Sequence, residues 1–289
     1  MRICLIIINY NGYRFLVDYL EGLSEMCKRN AIDLIVTDDH STDNSLDFLA
    51  QKGQEVTINT GRKGFAANVN NGIRYAQSKV DYDYYIIANN DITIKEGMFE
   101  IALPKALSKI ISLDGRLGLI GFDEILEDRE DYFNSFNFDL YSESSVISKN
   151  HIPGFFFIIN KELLDVIGFL DEDYFMYGED NDYFLRTLKA GFKIYNTALP
   201  VRHHSEGSST NSRMISWYVY RNALLCARKN GNILDVLRVI ISFVRIIYFP
   251  FYRNNHPSVL RVWRHGFFYN NFLLLKSILW NLKLFFNKK

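Results

Sequence analysis

The sequence predicts an α/β fold with a mainly parallel central sheet, followed by basic amphipathic helices at the C-terminal end. One observation behind this prediction is that short apolar runs alternate with segments of helical spacing through the first two hundred residues. The other is a division of charge. Residues 214–289 hold 12 Lys or Arg and one acid, Asp235, while residues 1–213 hold 21 basic and 32 acidic residues. We therefore expect two regions with different surroundings.

Strands are predicted at short continuous apolar runs, which are typical of buried strands. They lie at Ile3–Ile8, Ile32–Val36, Val56–Ile58, Tyr84–Ala88, Leu117–Phe122, Phe155–Ile159 and Phe192–Tyr195. Helices are predicted where apolar residues recur every three or four positions, at 13–27, 45–51, 65–76 and 180–190. Residues 123–150 carry eight acids and two bases with little periodicity, which indicates an insertion or a mobile loop.

The cysteines and the N-terminus exclude several classes of protein. Cys4, Cys27 and Cys226 are widely spaced in apolar surroundings, which is typical of reduced thiols and does not fit a disulfide framework or a zinc site. The first apolar run is too short for a signal peptide or for a bilayer-spanning helix. These features predict a cytosolic protein.

Polar side chains follow three of the predicted parallel strands. They are Asn9-Tyr10-Asn11, Asp38-Asp39 and Asn89-Asn90-Asp91. Each group alone is also typical of a helix cap or a turn. Because ligands bind at the carboxyl ends of parallel strands, three polar ends on one edge favour a binding site.

The ligand class is narrowed by motifs that the chain lacks and by those it has. Neither a G-x-x-x-x-G-K-[ST] phosphate loop nor a G-x-G-x-x-G fingerprint occurs. The segment 61–64, Gly-Arg-Lys-Gly, precedes a helix and is able to hold a base, a ribose or a phosphate at the helix N-terminus. Asp91 is the best candidate ligand for Mg²⁺ or Mn²⁺, since Mg²⁺ commonly takes one or two protein carboxylates and completes its shell with phosphate oxygens.

Two further clusters contain candidate functional residues. The segment Asp171–Asp182 places aromatic rings between two acidic groups, and a carboxylate beside such rings is suited to accept a proton from a hydroxyl. Helix capping by acids is the alternative. His203 and His204 follow a predicted strand, so their side chains should face opposite ways and at most one should enter a site. A structural histidine is the alternative there.

Taken together, these segments resemble the family 2 glycosyltransferases, particularly a bacterial rhamnosyltransferase-like branch. The similarity covers about residues 3–230, and the order of the segments is more specific than any one of them. The segments are IIINYNGYRFL, VTDDHSTDNS, NTGRKGFAANVNNGIRYA, YIIANNDI, PGFFFIINKELLDVIGFLDEDYFMYGEDNDYFLRTLKAGFKI, and VRHHSEGSS followed by WYVYRNALL.

The resemblance implies a glycosyltransferase-A fold and inverting transfer of a sugar from a nucleotide-diphosphate sugar, with a divalent metal, Mg²⁺ or Mn²⁺. It implies a catalytic domain over residues 1–213, with a nucleotide-binding half at about 1–122 and an acceptor-binding half at about 150–213. Residues 214–289 would be a helical region that associates with a membrane or with another subunit. The acceptor would be a glycan or a lipid-linked glycan of bacterial surface polysaccharide synthesis, and no nucleic acid is expected as a partner.

On the donor side the resemblance implies that Asp38 binds the nucleobase, with Asp39 as the less favoured choice. Asp91 would be the metal ligand at the position of the family's D-x-D motif, where Asn89 replaces the first Asp. His203 would lie near the metal and the diphosphate, with His204 as the second choice. The other residues expected around the nucleotide sugar are Asn9, Tyr10, Gly64, Asn68 and Asn90.

On the acceptor side the resemblance implies that Asp180, in the segment GEDND, is the catalytic base. Glu179 would lie near the acceptor or the transferred sugar, together with Gly154 and Tyr177.

The C-terminal region is basic and aromatic. It holds 16 of the chain's 44 aromatic residues, and its longest uncharged run, His265–Leu275, is too short to span a bilayer. Basic amphipathic helices of this kind lie at anionic membrane surfaces, which predicts a peripheral protein at the inner face of the cell membrane. A helical cap on the catalytic domain or an interface in a homo-oligomer is the alternative.

Two other functions are compatible with such a fold. A sugar-phosphate nucleotidyltransferase would carry a glycine-rich N-terminal loop, where this chain has NYNGYRF. A non-catalytic nucleotide- or glycan-binding protein would lack the base or the metal ligand, and both Asp180 and Asp91 are present.

Overall fold

The computed structural model describes residues 1–113, 115–204, 212–249 and 266–287. These fall into two units. The first comprises Met1–Glu172 and Tyr183–Ser208, and the second comprises Asp173–Asp182 and Ser209–Lys289. The acidic segment that was predicted to carry the base is therefore grouped with the C-terminal helices.

A nine-stranded sheet forms the centre of the first unit, in the order β3-β2-β1-β4-β8-β6-β9-β5, with β7 beside β9. The strands are β1 Ile3–Asn9, β2 Ile32–Asp38, β3 Val56–Ile58, β4 Tyr84–Asn89, β5 Ile92–Thr93, β6 Arg116–Ile125, β7 Ile147–Lys149, β8 Phe156–Asn160 and β9 Phe192–His203. Strands β3, β2, β1 and β4 run parallel, as do β6 and β9. Strand β8 lies antiparallel between β4 and β6, and β5 and β7 lie antiparallel to β9, so the sheet is more mixed than predicted.

Helices cover both faces of this sheet. They are α1 Tyr13–Arg29, α2 Ser45–Gln51, α3 Phe65–Lys79, α4 Leu103–Ser112, α5 Glu130–Ser135, α6 Lys161–Ile167 and α7 Glu179–Lys189. Alternate side chains of β1 reach opposite faces, as the pleat of a strand requires. Leu5 packs in a cluster with residues of α1 and α4, whereas Ile6 packs in a second cluster with residues of α3 and α6. Apolar side chains fully cover β1 on both faces.

Residues 123–150 are tied to the sheet, so the mobile loop, one of the two interpretations of this segment, is wrong. Strand β6 continues to Ile125, and β7 pairs with β9. The Lys95 ammonium group donates to the carbonyl oxygens of Phe133, Asn134 and Phe136. These short elements could not be predicted from the sequence because backbone hydrogen bonds hold them, and such bonds leave no hydrophobic period in an acidic segment.

Three helices form the core of the second unit. They are α8 Ser212–Asn230, α9 Ile233–Tyr248 and α10 Phe267–Asn287. They pack around Tyr220, Phe243, Ile247 and Leu273. Within the described ranges, every helix is too short or too polar to cross a bilayer. The SEGSST loop, Pro250 and Pro257 lie outside the described residues.

Candidate functional site

The ends of β1, β2 and β4 meet through one buried side chain, Asn9. Its Nδ2 atom donates to Asp38 Oδ2 at 2.7 Å, and its Oδ1 atom accepts from Asn90 Nδ2 at 2.8 Å. Its main-chain oxygen accepts from Asn68 Nδ2 at 3.1 Å. Four of the predicted donor-side residues are therefore brought together at the predicted edge of the sheet.

Gly12 lies against this junction, and sequence reasoning did not single it out. A Cβ atom on Gly12 would lie 1.9 Å from Asn90 Nδ2 and 2.4 Å from Asn9 Oδ1. Only glycine leaves room for the hydrogen bond between these two amides. The available signal was a glycine placed directly after a polar strand end.

The carboxylate of Asp38 accepts several hydrogen bonds from groups within the protein. It accepts from Asn9 Nδ2, and from the main-chain nitrogen and hydroxyl of Ser41 at 2.8 and 2.6 Å. The residue has no exposed surface. Asp38 thus fixes the loop after β2 in this structure, and a contact with a nucleobase would need that loop to move.

Asp39 is tied to the glycine loop instead. Its carboxylate accepts from the Gly64 main-chain nitrogen at 2.8 Å and from Asn59 Nδ2 at 2.9 Å. Gly64 has a φ of 116°, which favours glycine, and it immediately precedes α3. Asp39 therefore sets the position of the loop that was predicted to border the nucleotide.

Asn68 and Tyr10 differ sharply in exposure. Asn68 is buried, and its side chain bonds the main-chain oxygens of Asn9 and Thr37 and the Thr37 hydroxyl. It joins α3 to β1 and β2 from inside, so it can shape a nucleotide site only through its neighbours. Tyr10 is 44% exposed and offers its ring to solvent.

Asp91 and His203 form a pair at the end of the sheet. Asp91 Oδ1 lies 3.3 Å from His203 Nε2, and both side chains are largely buried. The His203 ring stacks on Phe155 at 4.8 Å between centroids. Burial opposes protonation of the imidazole, but hydrogen bonds to Asp91 and Glu124 outweigh it and raise the pKa of His203 to about 9.

Glu124 holds the other nitrogen of the same ring, and sequence reasoning missed it. Its Oε1 atom lies 2.5 Å from His203 Nδ1. A carboxylate that accepts from Nδ1 leaves Nε2 directed toward a metal, which is a common arrangement around metal-binding histidines. Glu124 was hidden because it lies in the acidic segment and reaches His203 only when β6 and β9 pair.

His204 faces away from this pair, as the alternation of a strand predicts. Its Nε2 atom lies 2.8 Å from the Thr93 hydroxyl, and its ring stacks on Tyr19 of α1 at 4.9 Å. Of the two histidines, His203 is the one beside Asp91.

The chemistry of this pair fits a divalent ion. A carboxylate oxygen and an imidazole nitrogen are both ligands that Mn²⁺ accepts, and the second carboxylate orients the ring. No group of three or more His, Cys, Asp or Glu side chains able to hold a metal converges in the described residues. The remaining ligands would come from donor phosphates and water, as is usual for Mg²⁺.

The candidate base lies in the second unit, at the start of α7. Asp180 is half-buried, and its Oδ1 atom accepts from the Asn181 main-chain nitrogen at 2.7 Å. Glu179 is 6% exposed, and its Oε2 atom accepts no hydrogen bond from the described residues. Burial and the neighbouring charge of Asp180 raise the pKa of Glu179, while Arg221 opposes the shift. The first turn thus joins a half-exposed carboxylate to a buried carboxyl group.

The two other acceptor-side residues occupy irregular backbone. Tyr177 is 36% exposed and has a φ of 62°. Gly154 belongs to the first unit, half-buried in the turn before β8.

The fold is shared with several solved structures of low sequence identity. A mannosyltransferase from Pyrobaculum calidifontis, solved with GDP-Man and Mn²⁺, is 14% identical with a TM-score of 0.57, over 95% of this chain and 87% of that one. TarS from S. aureus (residues 1–349) is 13% identical with a TM-score of 0.57, over 96% and 89%. Glucosyl-3-phosphoglycerate synthase from Mycobacterium tuberculosis, with Mn²⁺, UDP and its product, is 12% identical with a TM-score of 0.53, over 79% and 80%. The predicted glycosyltransferase-A fold is confirmed by these structures.

Sequence comparison gives the family directly. No curated protein matched the sequence. The family model described as glycosyl transferase family 2 matches residues 4–168, which is more than half of the chain and includes β1 to β4, α3 and Asp91. This chain belongs to glycosyl transferase family 2.

Proposed function

We propose that the protein is an inverting glycosyltransferase. It would move a sugar from a nucleotide-diphosphate sugar to a hydroxyl group of a glycan or lipid-linked glycan in bacterial surface polysaccharide synthesis, with rhamnosyltransferase-like specificity. The observation that carries the proposal is the Asp91–His203 pair, oriented by Glu124 at the edge where three strand ends are joined. The solved structures with GDP-Man or UDP support a donor of this class.

Asp91 and His203 would hold Mg²⁺ or Mn²⁺ on the donor side. A bound ion would offset the negative charge of the leaving diphosphate. Glu124 keeps the Nε2 atom of His203 directed toward Asp91.

The nucleotide would lie along the loops that Asn9, Asp38 and Asp39 support. The buried Asn68 bonds β1 and β2, and Gly64 and Asn90 bond Asp39 and Asn9. Tyr10 is exposed, and its ring would be available for stacking on the base or ribose. Arg62 and Lys63 are exposed beside Gly64 and would add positive charge near the phosphates. Asp38, or Asp39 as the second choice, would bind the base after a movement of the loops that these carboxylates hold.

Asp180 would remove the proton from the acceptor hydroxyl. As that oxygen bonds to the anomeric carbon, the bond from this carbon to the diphosphate breaks on the opposite face, which inverts the configuration. Glu179, Tyr177 and Gly154 would lie near the acceptor or the transferred sugar. The buried Glu179 would keep its proton and leave the negative charge on Asp180.

The C-terminal helices would place the enzyme at the inner face of the cell membrane, against anionic lipid. Long apolar side chains stand exposed along α9 and α10, including Leu237, Ile241, Phe268 and Phe272. An interface in a homo-oligomer would cover the same side chains and is the alternative to lipid.

The first test is a thermal-shift screen of nucleotide diphosphates and of nucleotide sugars such as GDP-mannose and UDP-glucose, each with and without Mn²⁺. We expect one nucleotide to stabilise the full chain more strongly when Mn²⁺ is present. Water should then hydrolyse the matching nucleotide sugar slowly, and added acceptor should receive the sugar at a faster rate, with release of the nucleotide diphosphate in both reactions. Binding without any release would indicate a non-catalytic protein. Formation of pyrophosphate from a nucleoside triphosphate and a sugar phosphate would indicate a nucleotidyltransferase.

A further inference from the structure

The loop that leads to Asp180 has a strained backbone conformation that depends on neighbouring groups. Residues 173–178 form turns and bends without regular hydrogen bonding. Tyr177 and Gly178 have φ values of 62° and 91°, so two consecutive residues occupy the left-handed region directly before α7. This backbone is costly for a tyrosine and persists only when neighbouring groups enforce it.

Those neighbouring groups lie on α8, in the WYVYRN segment that carried no assigned role. Asn222 Nδ2 donates to the main-chain oxygens of Met176 and Tyr177, at 2.8 and 2.5 Å. A Cβ atom on Gly178 would lie 3.4 Å from Asn222 Cβ, so the two backbones approach closely. The amide of Asn222 therefore bonds the backbone at the strained turn itself.

Arg221 holds the other end of the loop. Its Nη2 atom donates to the main-chain oxygen of Asp173 at 2.9 Å, and its Nε atom donates to Asn222 Oδ1 at 2.6 Å. The second bond fixes which way the Asn222 amide faces, so that its nitrogen points to the loop. The planar fork of a guanidinium makes both contacts at once, which a lysine ammonium cannot do.

Helix α10 completes the support. The Arg221 guanidinium lies over the rings of Tyr218 and Trp280, 4.7 and 4.4 Å from their centroids. Asn281 Nδ2 donates to the main-chain oxygen of Arg221 at 3.1 Å. Arg221 is only 7% exposed, so these rings replace much of the water that the cation loses on burial. Helix α10 thus supports the 173–178 loop through Arg221, in addition to presenting exposed apolar side chains.

Further bonds from α8 tie both ends of the segment. Lys229 Nζ lies 2.6 Å from Asp173 Oδ2, and Asn230 Nδ2 donates to Asp182 Oδ1 at 2.6 Å. Side chains near the middle and the end of α8 thus bond both the loop and the first turn of α7.

We infer that Arg221 and Asn222, with Trp280 of α10 behind them, are positioning residues that set the orientation of Asp180. This inference rests on the proposed role of Asp180 as the base. It gives the C-terminal region a task in catalysis that is separate from any contact with membrane.

The test compares the full-length chain with its Asn222→Ala and Arg221→Lys variants. We expect hydrogen exchange of backbone amides 173–182 to become about tenfold faster or more in both, with peptides of β1 and β2 unchanged. The kcat for hydrolysis of the nucleotide sugar, GDP-mannose or UDP-glucose, should fall on the order of 100-fold, as expected for a displaced catalytic group. Affinity for the nucleotide diphosphate should stay within about twofold, because its site lies in the first unit.

The matched control is Asn271→Ala, an asparagine of α10 that bonds Tyr248 and Phe267 instead of the loop. It should behave like the wild-type chain in all three measurements. Gly178→Ala changes the same turn within the loop itself and should reproduce the fall in kcat. It therefore tests the inference if Asn222→Ala does not fold.

Wild-type exchange and kcat in Asn222→Ala or Gly178→Ala would overturn the inference. An Asp180→Asn variant measured in parallel separates this outcome from failure of the proposed function. If Asp180→Asn hydrolyses the donor normally, the base assignment is wrong. If it is inactive while Asn222→Ala is fully active, the base stands and the positioning role is wrong.

Discussion

At the residue scale, the candidate donor-side residues are polar side chains that bond one another. The sequence singled out Asn9, Asp38 and Asp91 because polar residues after buried strands are conspicuous. Glu124 and Gly12 were missed, since each matters only through a partner distant in sequence. Asn68, which was expected around the nucleotide sugar, is buried because its amide bonds backbone groups of β1 and β2. Hydrophobic periodicity cannot distinguish a polar group facing water from one satisfied inside the fold.

Glu124→Gln tests the carboxylate behind His203. We expect Mn²⁺-dependent affinity for the nucleotide diphosphate to fall by about 10- to 100-fold, as is typical when the partner of a metal-binding histidine is lost. Calorimetry with and without Mn²⁺ measures it. Glu143→Gln is the matched control, since Glu143 is exposed in the same acidic segment. Equal metal dependence in the Glu124→Gln and wild-type chains would show that the Glu124 carboxylate does not contribute to metal binding.

Asp91→Ala should abolish the metal enhancement of nucleotide binding altogether. Asp91 supplies the carboxylate oxygen beside His203 Nε2, and its removal leaves one protein ligand. The same titrations apply, with nucleotide binding in the absence of Mn²⁺ as the internal reference. Undiminished enhancement by Mn²⁺ would place the ion elsewhere.

Asp180→Asn should reduce transfer by more than about 100-fold while donor affinity changes little, because an amide cannot accept the proton. Steady-state rates and calorimetry on the same preparation separate the two effects. Asp128→Asn, at an exposed acid, is the control. Activity near the wild-type level would direct attention to Glu179 or Asp182.

At the element scale, local patterns predicted where elements lie better than how strands pair. The bounds of α2 and β3 agree with the predicted ones because a helical apolar period and a short apolar run each define an element locally. The direction of β8 was not predictable in this way, since an apolar strand has the same pattern whether its neighbours run parallel or antiparallel. The segment 173–178 shows the same limit, because its support comes from α8, more than 40 residues later.

The first turn of α7 should make stability depend on pH. The pKa of Glu179 is raised in the folded state by burial and by Asp180, so above the ordinary pKa of a glutamate the unfolded chain releases a proton that the folded chain retains. This contribution therefore lowers stability as pH rises, until the folded group also ionises. Glu179→Gln removes the contribution, so its Tm relative to wild type should be higher at pH 8 than at pH 5. A Tm difference that is the same at both values would show that Glu179 is ionised in the folded protein.

At the scale of the whole molecule, the opposed charges of the two regions have a structural counterpart. Helices α9 and α10 each have an exposed apolar stripe, in which a cation directly follows a stripe residue at seven-residue intervals. On α9 these pairs are Leu237-Arg238 and Val244-Arg245, and on α10 they are Leu275-Lys276 and Leu282-Lys283. Cations along the border of an apolar stripe suit helices that lie in an anionic lipid surface.

We therefore predict that the full chain sediments with anionic vesicles and stays in solution with neutral ones at the same salt. Each Lys or Arg near an anionic leaflet contributes about 1 kcal/mol, and this attraction weakens with added salt because it is screened. Phe268→Glu, at a side chain that is 87% exposed on α10, should reduce sedimentation without changing nucleotide affinity, whereas Ile111→Glu on α4, 64% exposed in the first unit, should leave it intact. Unlike removal of the C-terminal region, these substitutions preserve the contacts of Trp280 and Asn281 with Arg221. If the wild-type chain ignores anionic vesicles at low salt but forms dimers that Phe268→Glu disrupts, the stripes are a subunit interface and the membrane assignment is wrong.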